Sequence, residues 1–173
     1  MNKRSWFLIV LVGLSGQIAW TIENMYFNVF LYNTISTDPS YIATMVASSA
    51  VVATLTTIIM GAFSDKIGKR KPFIAIGYII WALTVLLFAF VSPKNFHSVK
   101  KAAIAVIVLD CVMTFFGSTA NDAVFNAYIT ESVDNKNRTK VESVVQILPM
   151  ASMLLVFGLM DGLTQKGNWP LFF

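Results

Sequence analysis

The first apolar stretch of this 173-residue chain carries a set of polar side chains that could do chemistry: Gln17, Trp20, Glu23, Asn24 and Asn28. On a wheel of about 100° per residue, Gln17, Asn24 and Asn28 fall within about 40° of one another. Trp20 lies beside them, and Glu23 sits on the flank of that face. Amides supply donors and acceptors and an indole supplies a flat apolar surface, a combination suited to sugar hydroxyls. A later apolar stretch holds Asp110, Thr114, Asn121, Asp122 and Tyr128. By the same wheel Asp110, Thr114, Asn121 and Tyr128 share a face, while Asp122 points about 100° away from Asn121. The two aspartates are therefore expected to line different grooves, with Asp110 nearer the outer end. Ionisable groups at a bilayer centre cost about 2.5–3.5 kcal/mol on insertion scales, so they tend to mark sites or pathways. A carboxylate taken out of water can bind and release a proton near neutral pH, which makes Glu23 and Asp122 proton-carrier candidates. The plainer alternative is that each group is satisfied by hydrogen bonds between helices or lies near an interface. Asp161, near the end of an apolar run, reads as interfacial.

The elements that position these residues must be membrane helices. Apolar residues make up 56% of the chain and charged residues 13%, and the mean hydropathy is +0.67. A soluble domain usually carries about 25% charged residues. The apolar residues come in runs near the roughly 20 that a helix needs to cross hydrocarbon. The expected spans are Trp6–Tyr32, Tyr41–Phe63, Pro72–Val91, Ala102–Thr130 and Val141–Leu163, followed by the start of a sixth at Trp169. The fold class is an all-α polytopic bundle, because lipid leaves no partner for an unpaired backbone and these runs are too long for barrel strands. Residues 1–173 read as an N-terminal transmembrane half-domain cut within its sixth helix, with a C-terminal half beyond it. Lys3 and Arg4 before Trp6–Leu14 imitate a signal peptide, but the apolar run continues to Tyr32 without a small-residue cleavage site.

With the N-terminus in the cytoplasm, nine basic residues face inward: Lys3, Arg4, Lys66, Lys69, Arg70, Lys71, Lys136, Arg138 and Lys140. Four of the 13 remain outside: Lys94, Lys100, Lys101 and Lys166. The positive-inside rule selects that orientation, in a plasma or inner membrane. The basic residues lie between apolar runs, so they set topology and contact lipid headgroups rather than nucleic acid. A single cysteine, Cys111, excludes an internal disulfide, and with His97 as the lone histidine there is no Cys/His zinc set. No cofactor is expected. The absence of H-E-x-x-H, G-x-S-x-G and acid pairs at metal-ligand spacing argues against an intramembrane enzyme.

The loop after the second span reads Gly61-Ala62-Phe63-Ser64-Asp65-Lys66-Ile67-Gly68-Lys69-Arg70-Lys71-Pro72. Gly61 suits close helix approach, Asp65 an anion at a helix end, Gly68 a tight turn, and the three basic residues an anionic leaflet. This segment resembles the G-x-x-x-D-[RK]-x-G-[RK]-[RK] loop between helices two and three of major facilitator superfamily transporters. Tyr128-Ile129-Thr130-Glu131 followed by Arg138 is similar to the family segment after helix four, with Thr139 where glycine is usual. The resemblance implies a cytoplasmic charge network that joins Glu131 and Arg138 to the first loop and latches one state of alternating access. Arg70–Gly77 and the Asn121-Asp122 pair with Phe125 further resemble glycoside–pentoside–hexuronide:cation symporters and sucrose-type carriers, which is the reason to favour Asp122 over Asp110. Ala53 and Thr57 stand where those symporters place two aspartates, which leaves proton coupling or uniport open in place of the usual sodium site.

The resemblance implies a secondary transporter, coupled to a proton or sodium, moving a small polar, sugar-like solute between two halves of which this is one. A drug or metabolite exporter is the alternative in the same class. A non-transporting multi-pass membrane module is the rival from another class.

Overall fold

The computed structural model describes residues 3–173, and among them every regular element is helical. Five helices are long and apolar enough to cross a membrane: α1 (Lys3–Ile35), α2 (Pro39–Ile67), α3 (Arg70–Phe88), α4 (Val99–Ser132) and α5 (Asn135–Gln165). The shortest, α3, has 19 residues, about 28 Å of helix. Short helical turns at Pro93–Phe96 and Trp169–Phe172 follow α3 and α5. Each expected span is present, and each helix except α3 extends at both ends beyond the apolar run that announced it. The added turns are polar or capping residues, which apolar content alone does not count.

The caps explain the boundaries. Asp38 accepts from the Ser40 amide at 2.9 Å, with Pro39 at the first helical position of α2. That bond holds the Asp38 carboxyl below the usual carboxylate range. α2 ends at Gly68, whose φ of 68° is left-handed and whose N–H reaches the Ser64 carbonyl. α1 and α4 are not uniform. π-helical segments run over Ile22–Phe27 and Leu31–Ile35 in α1 and over Ser118–Phe125 in α4.

Helix α4 is central: half of its most apolar window is buried, against 11% for α2 and 17% for α5. It packs on α2 and α3, while α1 packs on α5. The α1–α5 contact is fixed by a buried hydroxyl pair, Thr21 with Ser152 at 2.8 Å. One core holds Phe27, Phe30, Phe88, Trp81 and Met113, and a smaller one near the other end holds Ile9, Phe125, Ile129 and Val141. The outer surface is apolar, with Ile58, Leu154 and Leu159 at 66%, 71% and 76% exposure. Such a belt is intolerable in water and natural in hydrocarbon, so the bundle is a multi-pass membrane protein. The N-terminal end of α1, the α2–α3 turn and the α4–α5 turn lie at one end of the bundle. The α1–α2, α3–α4 and α5–Trp169 connections lie at the other.

Candidate functional site

A cavity of about 180 Å³ opens between α1, α2 and α4. Its lining includes Trp20, Glu23, Asn24 and Asn28 from α1, Ser49 and Ala53 from α2, and Asp110 and Thr114 from α4. Five of the sequence candidates are thus brought together: Trp20, Glu23, Asn24, Asn28 and Asp110. Glu23 is 8% exposed and Asp110 1%. The Thr114 hydroxyl donates to Glu23 Oε1 at 2.9 Å, a bond between α4 and α1. The amides are oriented by their own helix: Asn24 Nδ2 donates to the Trp20 carbonyl and Asn28 Nδ2 to the Asn24 carbonyl. Trp20 is held against Trp81 of α3, with ring centroids 5.0 Å apart.

The helical wheel placed Glu23 on a flank, yet it lines the cavity beside Asn24. The π-helical segment at Ile22–Phe27, with its i→i+5 pattern, also departs from 100° per residue. Gln17, one turn before that segment, is not part of the lining. The fourth span departs from its wheel in the same way. Asp110 and Thr114 line the cavity, but the π-helical segment from Ser118 separates them from Asn121 and Asp122.

Asn121 and Asp122 belong to a different arrangement. Asn121 Nδ2 donates to Asp122 Oδ1 at 2.9 Å, and the Tyr78 hydroxyl of α3 lies 2.9 Å from Asn121 Oδ1 and 3.1 Å from the Val12 carbonyl. A β-carbon on Gly16 would sit 2.5 Å from Asn121 Oδ1. This knot ties α1, α3 and α4 together, and Gly16 leaves the room that the Asn121 and Tyr78 side chains occupy. Tyr78 was missed in the sequence reading, although a hydroxyl in the middle of an apolar run must find a partner when buried. Asp161 is likewise held, by the Tyr26 hydroxyl at 3.1 Å and by Gln165.

The charged end of the bundle centres on Arg70. Its guanidinium reaches Asp65 at the end of α2, both oxygens of Glu131 at the end of α4, and the buried Ser64 hydroxyl. The Arg70 side chain is 10% exposed, and its carboxylate partners are 64% and 57% exposed. Gly68 makes this possible by turning the chain directly from α2 into α3. Lys69 follows as the N-cap residue of α3, in extended backbone. Gly61 lies beside Ala123, but an added β-carbon would meet it at an ordinary 4.0 Å. Arg138 does not join Glu131. It donates to the Thr130 carbonyl at 2.9 Å and stands 3.9 Å from Glu142, one turn along its own helix.

The chain is 27% identical over 130 residues to Sugar efflux transporter A of Dickeya chrysanthemi, covering 75% of this chain and 30% of that protein. It is 26% identical over 154 residues to Sugar efflux transporter B of Salmonella typhimurium, covering 88% of this chain and 36% of that one. The chain therefore spans about a third of the length of these relatives. No solved structure matches. The family model of the Major Facilitator Superfamily matches residues 6–173, nearly the whole chain, and with its five spanning helices the protein belongs to that transporter superfamily.

Proposed function

We propose that this bundle is one half of a secondary transporter that moves a small polar, sugar-like solute by alternating access. One observation carries the reading: an indole, two amides and two carboxylates line a single cavity within the bundle. The solute binds near the midplane between this bundle and a second one, and the two rock about it. The names of both relatives support a sugar as the solute and outward movement as the direction. The cavity is small because it is half of a site. Transport is coupled to a cation, with Glu23 as its carrier: it is buried, bonded across to α4, and placed beside the amides. The N-terminus and the Arg70 cluster face the cytoplasm of a plasma or inner membrane, a reading that the nine basic residues of 13 on that side support. There the cluster latches one state and releases in the other, and the basic turns rest on lipid headgroups.

The test is flux. The complete open reading frame, purified into proteoliposomes, should move radiolabelled mono- or disaccharides down an imposed pH gradient. Glu23→Gln should abolish pH-driven accumulation and spare solute exchange. Unchanged pH dependence in that variant removes Glu23 from the mechanism. Movement of lipophilic dyes without sugars selects the drug-exporter alternative, and sugar binding without flux selects a non-transporting module.

A further inference from the structure

Trp20, the indole of the cavity, is braced by a residue that the cavity does not contain. Its ring packs on Trp81 of α3, with centroids 5.0 Å apart and planes at 59°. Trp81 is 1% exposed and lies outside the lining. It also meets the Tyr78 ring, at 5.6 Å and 63°. Tyr78 is in turn fixed by its hydroxyl, 2.9 Å from Asn121 Oδ1 of α4. Three aromatic rings thus run from the polar knot on α4 to the cavity.

Trp81 is not seated as plain core filling would seat it. Its Nε1 is buried and meets no acceptor among the described residues, and an unmet donor in a core is destabilising. The same edge of the indole rests on the bare backbone of α4 at Gly117. A β-carbon there would lie 2.8 Å from Trp81 Cε2 and 2.9 Å from Cζ2. A glycine inside a helix is itself unfavourable. Phenylalanine against alanine would fill an apolar core without either penalty. Local rules broken together at one contact point to function. What an indole adds over a phenyl ring is breadth. Set between Gly117 and Trp20, with Tyr78 alongside, it limits how Trp20 can tilt.

The tilt matters because of what an indole face recognises. A pyranose carries hydroxyls around its rim and C–H groups on its faces. The indole takes a C–H face by apolar contact, and the amides of Asn24 and Asn28 in the same lining suit the rim. For a closed ring the two contacts coincide only at a fixed indole angle. An open-chain polyol has no such face and is insensitive to that angle.

We propose that Trp81 is a positioning residue that sets selectivity for ring-form sugars by bracing Trp20. It touches no solute. This rests on the sugar-transporter reading and adds which sugars the site prefers.

The experiment compares a radiolabelled methyl glucopyranoside, locked as a ring, with radiolabelled sorbitol, an open-chain polyol. Flux of each is measured against concentration in proteoliposomes of the complete protein, and equilibrium binding of the glucoside in lipid nanodiscs. Trp81→Phe should raise KM for the glucoside roughly fivefold, with kcat within about twofold and sorbitol handling unchanged. Gly117→Ala, which pushes Trp81 from the other side, should give the same split. In the double variant the added methyl group fills the space that the smaller ring leaves, so KM should move back toward the unsubstituted value. Unchanged glucoside KM in both single variants, or equal losses for glucoside and sorbitol, overturns the positioning role and leaves the transporter reading standing. Glucoside binding without flux, weakened by Trp81→Phe, upholds the positioning role and overturns the transporter reading. Neither binding nor flux of the glucoside overturns both.

Discussion

Thr114 is the residue on which the cavity's electrostatics turn. It is 1% exposed, and its hydroxyl is the sole donor to Glu23 among the described residues. Thr114→Val keeps the shape and removes that donor. A hydrogen bond to a charged group is worth about 1.5–3 kcal/mol and favours the ionised carboxylate, so without it Glu23 should hold a proton more tightly and apparent proton affinity in the flux assay should rise by roughly tenfold or more. Thr114→Ser, which keeps the hydroxyl, should undo most of the change. A valine variant with unchanged affinity would mean that Glu23 does not work through this bond. At this scale the sequence was half legible. Acids and amides in apolar runs stand out because hydrocarbon makes them costly, so Glu23, Asn24, Asn28 and Asp110 could all be named. Which of them meet could not be read, and Asp122 drew attention that the cavity gives to Asp110.

The reason lies in the elements. A wheel at 100° per residue assumes uniform α-helix, and α1 and α4 both switch to π-helical hydrogen bonding within the stretches that carry the polar groups. Nothing in the residue types of Ile22–Phe27 announces the switch. The spans themselves were legible, since their existence depends only on long apolar runs and a solvent that forbids unpaired backbone. Packing was less so. Gly61 is part of the recognisable loop, yet the close approach between helices belongs to Gly77. A β-carbon on Gly77 would lie 2.6 Å from the Ala120 β-carbon, against 4.0 Å from the nearest atom at Gly61. Gly77→Val should therefore force α3 off α4 and cost about 1–3 kcal/mol. Gly61→Ala should change stability by less than about 0.5 kcal/mol. Thermal unfolding in detergent, followed by loss of the monodisperse chromatographic peak, separates the two. Equal melting temperatures would show that α3 and α4 can part at no cost.

For the whole molecule, the question is what holds the charged end closed. Arg70 joins the ends of α2 and α4 from the first turn of α3, so one side chain spans three of the five spanning helices. Both carboxylates are more than half exposed, so solvent screening weakens each pair. The buried Ser64 hydroxyl adds a further charge-assisted bond. Arg70→Ala should then loosen this end by about 1–3 kcal/mol in total. Arg70→Lys should not rescue it, because an ammonium cannot fork to two carboxylates and a hydroxyl together. Arg138→Ala is the comparison: its side chain is 40% exposed and contacts one carbonyl and a distant Glu142, so its loss should cost under about 0.5 kcal/mol. The readout is maleimide labelling of a cysteine placed at Val133, which is buried at this end, with Cys111 replaced by serine, in membranes opened to give the reagent access to both faces. Labelling should accelerate severalfold in Arg70→Ala and Arg70→Lys and stay near the unsubstituted rate in Arg138→Ala. Equal rates in all three would show that packing of Phe125, Ile129 and Val141, rather than the arginine, keeps this end together.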